Sequence, residues 1–68
     1  MEGKVKWFRT DLGYGFILSG DKEIFMHHTQ ILQNGPKRLN PGDIVDFELK
    51  IINDKPTAHN ITLIKKGL

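Results

Sequence analysis

Cysteine is absent from this chain, and serine occurs once, at Ser19. With no thiol there is no disulfide framework and no thiolate metal ligand, a composition that suits a reducing compartment. A serine nucleophile would have to be Ser19. The eight acidic residues fall mostly at turns or on the wet side of an alternating segment, so no catalytic set presents itself. Long apolar runs are missing too. Nothing approaches the roughly 18 residues of a membrane span, and Met1-Glu2-Gly3-Lys4 leads into no hydrophobic stretch. The expectation is a soluble, cytoplasmic protein that is neither an enzyme nor a membrane partner. Charge of one sign is also scarce, since ten Lys plus Arg against eight Asp plus Glu leave +2 and a pI near 9.1. That balance does not describe a protein held to nucleic acid by charge alone.

What the chain does have is a cluster of rings. Five of its six aromatic residues, Trp7, Phe8, Tyr14, Phe16 and Phe25, lie in the first 25 positions, interleaved with Lys4, Lys6, Arg9 and glycines. In Leu12-Gly13-Tyr14-Gly15-Phe16-Ile17, strand alternation puts Tyr14 and Phe16 on one face and Ile17 on the other. In Glu23-Ile24-Phe25-Met26-His27, Ile24 and Met26 oppose Phe25 and His27. Both faces are therefore apolar, and the compact aliphatic set suits the core better than the flat rings. The rings are left facing water, which in a small protein marks a binding patch.

A chain of 68 residues has room for one domain, residues 1–68, and hides only about 60% of its unfolded surface. No repeat, linker or composition shift divides it. Strands are expected over Lys4–Arg9, Tyr14–Ser19 and Glu23–His27, with Thr10-Asp11-Leu12-Gly13 and Gly20-Asp21-Lys22 as turns. Thr29 can cap a short helical turn reaching Gln33 before Gly35-Pro36 stops it. After Asn40-Pro41-Gly42, Val45, Phe47, Leu49 and Ile51 alternate with Asp46, Glu48 and Lys50, the pattern of a strand with one buried face. Asn53-Asp54-Lys55-Pro56 turns the chain into a fifth strand over Thr57–Lys65, carrying Ala58 and Ile61. Five short strands and no long helix predict an all-β, small closed barrel. One feature breaks the alternation: Lys6 and Phe8 share a parity that Trp7 does not, so a bulge is expected near Trp7.

Exposed rings flanked by cations match single-stranded nucleic acid, in which each stacked base contributes roughly 1–3 kcal/mol. Gly13 and Gly15 leave neighbouring rings uncovered and admit close approach. Phe8 divides between this surface and the core, whereas Phe47, with Val45 and Leu49 as neighbours, belongs to the core. His27 shares the face of Phe25. Adjacent strand residues point to opposite faces, so His27 and His28 make a poor metal pair, and neither a metal nor another cofactor is expected. Gly3 to Arg9 and the pair Lys37-Arg38 are the basic stretches. A protein partner on the same patch is the competing reading, since aromatics and arginine are enriched in protein interfaces; lysine is depleted there, which favours nucleic acid.

Gly3-Lys4-Val5-Lys6-Trp7-Phe8, Gly13-Tyr14-Gly15-Phe16-Ile17, Ile24-Phe25-Met26-His27, Pro41-Gly42-Asp43-Ile44-Val45-Asp46-Phe47 and Ala58-His59-Asn60-Ile61 closely resemble, in order and spacing, the bacterial cold-shock protein family. The similarity covers almost the whole chain. It implies a five-stranded antiparallel OB-fold barrel that binds single-stranded RNA and DNA with low selectivity, often favouring pyrimidine-rich stretches, as an RNA chaperone or transcription antiterminator. The site it implies is Lys6, Trp7, Phe8, Tyr14, Phe16, Phe25, His27 and His28, with Arg38 and Lys55 as further cations, on a monomer. Departures thin the pattern. Leu12 stands where the family usually has lysine, His28 and Pro36 where aromatics are common, and Arg9 where asparagine is usual; the last turn is short and lacks its glycine.

Overall fold

Turn chemistry sets where each strand starts and stops. The computed structural model describes residues 1–32 and 39–67, and within them the strands are β1 (Glu2–Arg9), β2 (Tyr14–Ser19), β3 (Lys22–His27), β4 (Ile44–Ile52) and β5 (Lys55–Lys65). Gly20, at φ 65°, turns β2 into β3, so Ser19 already faces Lys22 and β3 starts one residue earlier than expected. Asn53 and Asp54, at φ 52° and 65°, form a two-residue turn between Ile52 and Lys55, which extends β5 back to Lys55. β1 likewise begins at Glu2, because Glu2 to Lys4 pair with Asp46 to Ile44.

The strands close into a barrel in the order β1-β2-β3-β5-β4. It is not antiparallel throughout. The β3–β5 seam is parallel and has only two register pairs, Phe25 with Thr57 and Met26 with Ala58. An isolated parallel bridge, Ile31 to Ile61, continues it beyond β3. The helical turn expected from Thr29 is instead a single 3₁₀ turn, His28–Gln30, and its cap is His27. His27 stays extended at φ −115°, and its Nδ1 reaches the Thr29 N–H, so the cap lies two residues earlier. Pro36, Lys37 and Arg38 lie outside the described residues.

Inside the barrel, Val5, Ile17, Ile24, Met26, Val45, Phe47, Ala58 and Ile61 are buried, so the aliphatic side of β2 and β3 faces inward as alternation requires. Ala58 and Ile61 have opposite parity, yet both are buried because the register shifts between Asp46 and Glu48 and Asn60 takes φ 51°. The alternation of β4 fails at its end: Leu49 is half-buried and Ile51 is 62% exposed. Met1 and Phe47 exchange backbone hydrogen bonds where β1 begins, so β1 does not flank the end of β4 and Ile51 projects past the barrel. Asp43 is the one buried charged residue among those described. Its carboxylate accepts from the N–H of Asn40 at 2.9 Å and of Gly67 at 2.7 Å, tying the entry of β4 to the end of the chain.

Candidate nucleic-acid interface

The expected bulge in β1 is present, and it builds the site. Val5 pairs with Ile17, but the next partners are Trp7 and Phe16, so Lys6 is the extra residue. That one insertion brings Trp7 onto the ring-bearing face of β2. Gly15 allows β1 and β2 to close here, since a Cβ at Gly15 would overlap the Trp7 carbonyl oxygen. Cross-strand partners then line up across the sheet as Trp7, Phe16, Phe25, Thr57 and Lys50, with Arg9, Tyr14 and His27 forming a second row two residues away.

Four rings form one array. Trp7 lies 5.4 Å from Phe16 and 5.7 Å from Tyr14; Phe25 lies 5.6 Å from Tyr14 and 5.8 Å from Phe16, all as ring centroids. These separations are those of favourable tilted and edge-on aromatic pairs, which fix the rings against one another while each stays half-buried. His27 extends the array toward the 3₁₀ turn. Its Nδ1 accepts from the Thr29 N–H and sits 3.0 Å from Thr29 Oγ1, which holds the ring in place.

Phe8 does not join the array. It faces Gly15 across the bulged pair and packs half-buried against the core cluster. It also lines a hollow of about 270 Å³ with Thr10, Asp11, Leu12, Gly13 and His28. His28 does not point away from His27 as alternation predicts; the two ring centroids are 4.5 Å apart. β3 ends at His27, and His28 N–H donates to the Gly13 carbonyl, which folds the chain over the β1–β2 turn. Gly13, at φ 78°, leaves room for that ring, since a Cβ there would come within 2.8 Å of His28 Cδ2. No group of three or more His, Asp or Glu residues among those described is placed to hold a metal ion.

Both β1 cations near the array have carboxylate partners. Lys6 Nζ lies 3.2 Å from Glu23 Oε1. Arg9 makes a two-point contact with Asp11, Nε to Oδ1 at 3.1 Å and Nη2 to Oδ2 at 2.9 Å. The hydrogen bonds and the opposite charge hold the Asp11 carboxyl below its ordinary value and raise the Arg9 guanidinium above its own. Arg9 therefore adds less free positive charge than its sequence position implies. Lys55 is exposed and belongs to none of the ion pairs among the described residues. It lines a larger groove of about 400 Å³ that opens beside Phe25 and His27.

The 'Cold-shock' DNA-binding domain model matches residues 1–64. The chain belongs to the cold-shock domain family. It is 41% identical over 66 residues to the cold shock-like protein CspC of Shigella flexneri, covering 94% of this chain and 96% of that one. It is 45% identical over 60 residues to the cold shock protein CspB of Bacillus caldolyticus, covering 87% and 91%. Among solved structures, drosophila Unr CSD456 has the same fold at a TM-score of 0.75 and 22% identity, over 93% of this chain and 26% of that one. A closed five-stranded barrel of the OB type and a nucleic-acid-binding role thus go together in this cold-shock domain.

Of the residues expected at the site, the fold brings Trp7, Tyr14, Phe16, Phe25 and His27 together and sets Lys55 beside them. Lys6 lies at the bulge, Phe8 and His28 border the smaller hollow, and Arg38 lies outside the described residues. The reading of the sequence passed over Gln30, Ile52, Thr57 and His59, which share the larger groove with Phe25. Their signal lay in the parallel β3–β5 register, a contact between distant segments that no local pattern encodes.

Proposed function

We propose that this cold-shock domain binds single-stranded RNA and DNA with low sequence selectivity, by stacking bases on Trp7, Tyr14, Phe16, Phe25 and His27, and acts as an RNA chaperone or transcription antiterminator. The observation that carries the reading is the array of four linked, half-buried rings on the outside of a barrel whose interior is filled by aliphatic side chains. Flat faces spaced along a sheet receive successive bases whatever their identity, because every base has a stacking face. With Lys6 and Arg9 both paired to carboxylates, stacking outweighs phosphate contact as the source of affinity.

Titration with a short oligo-pyrimidine, followed by Trp7 fluorescence, is expected to quench the indole at micromolar protein in low salt. An unchanged signal overturns the reading. Phe16→Ala and Phe25→Ala are each expected to weaken binding by about 1–3 kcal/mol, roughly five- to 150-fold, with the barrel still folded. A gel shift is expected to favour single-stranded RNA and DNA over duplex. Equal retention of all three would show binding by charge rather than by exposed bases.

A further inference from the structure

The barrel is closed, yet one of its strands outruns its neighbour. β1 pairs with β4 only over Ile44 to Asp46, and Met1 extends the join to Phe47 by taking up both of its backbone groups. Beyond Phe47, β4 has β5 on one side and no strand on the other among the described residues. Backbone groups alternate between the two sides of an antiparallel strand. Ile52 and Lys55 flank the two-residue turn, so Ile52, Lys50 and Glu48 direct their N–H and C=O groups to β5, whereas Leu49 and Ile51 direct theirs outward, as Phe47 does. An open edge of this kind is a template for another strand. We propose that it pairs antiparallel with the same edge of a second copy of this chain.

One register satisfies the edge. Centred on Leu49, the pairing would need Phe47, whose backbone groups are already bonded to Met1; centred on Ile51, it would set Leu49 against Asn53 in the left-handed turn. Centred on Lys50, Leu49 of each copy meets Ile51 of the other, each such pair exchanges both its N–H···O bonds, and no outward group is left over. The side chains agree with that register. Ile51, 62% exposed on the core-facing side of β4, gains the half-buried Leu49 of the second copy as an apolar partner. On the outer side Lys50 meets Lys50, with Glu48 of the second copy diagonal to each. Like charges directly opposite oppose the pairing, and so short an edge makes a small interface, so the dimer is weak and reversible. Its geometry has a consequence that rests on the stacking reading, although the pairing itself does not. Lys50 lies in the row of Trp7, Phe16, Phe25 and Thr57, so a two-fold axis through it sets both ring arrays on one face of a continuous sheet, running in opposite directions. Two single-stranded segments of opposite polarity then lie side by side.

Sedimentation equilibrium of the protein without nucleic acid is the test. The average mass of the wild type is expected to rise above the monomer's as its concentration approaches about 1 mM, the range of a small interface. Lys50→Thr removes the facing charges and is expected to associate about two- to fivefold more tightly. Ile51→Lys, at a position outside the core, is expected to stay monomeric with its barrel folded by circular dichroism, and to abolish association when added to Lys50→Thr. A Lys50→Thr protein that remains monomeric, or association that survives Ile51→Lys, overturns the pairing. Because no nucleic acid is present, that failure is distinct from a failure of the stacking reading, which the Trp7 titration decides.

Discussion

Arg9 and Lys6 flank the rings, but each is tied to a carboxylate, Arg9 to Asp11 in the turn that follows β1 and Lys6 to Glu23 on β3. Exposed surface pairs of this kind contribute little to stability, so their main effect is on what the cations can offer a ligand. Asp11→Asn is expected to release Arg9 and raise affinity for single strands about two- to fivefold, with the salt slope steepening by about 0.7. Binding titrations at several salt concentrations measure both, and unchanged affinity and slope would show Arg9 to lie outside the contact area. The pair also fixes a sign for pH. The folded state holds Asp11 below its ordinary value of 3.8, so its contribution is fully present above that value and is lost as pH falls through the lowered one. The stability difference between wild type and Asp11→Asn is therefore expected to be constant from about pH 5 upward and to close only in acid. The positions of both cations were legible in the sequence. Their neutralisation was less so, because Glu23 reaches Lys6 from a different strand.

Among the elements, those set by local chemistry were legible and those set by distant pairing were not. The parity conflict at Lys6-Trp7-Phe8 marked the bulge, and Gly20 and Asn53-Asp54 marked their turns. Alternation read Ile51 as buried, since a periodic pattern carries no record of where the neighbouring strand stops. The parallel β3–β5 seam left no local trace, and Gln30 and His59 were passed over with it. The β4–β5 turn holds two non-glycine residues in left-handed backbone. A turn of this kind favours glycine at its second position, so Asp54→Gly is expected to stabilise the domain by about 0.5–1 kcal/mol. For a domain of this size that is a rise in Tm of about 2–8 °C by thermal unfolding. A fall in Tm would show that the Asp54 side chain contributes more than its backbone strain removes.

For the whole molecule, a net charge of +2 and two paired cations beside the site predict binding that falls gently with salt. Two or three phosphate contacts correspond to a slope of about −1.5 to −2 in log K against log salt. A slope steeper than about −4 would mean that charge, not stacking, dominates.

The two-pair β3–β5 seam is the narrowest join in the closed barrel, and it runs beneath the line from Phe25 to Thr57. A seam with so few rungs is where such a barrel is first to breathe. A nucleic acid strand laid across it acts as a clasp from outside, so ligand should slow amide exchange at Met26 and Ala58 more than elsewhere. Its effect on the melting temperature should grow with its concentration.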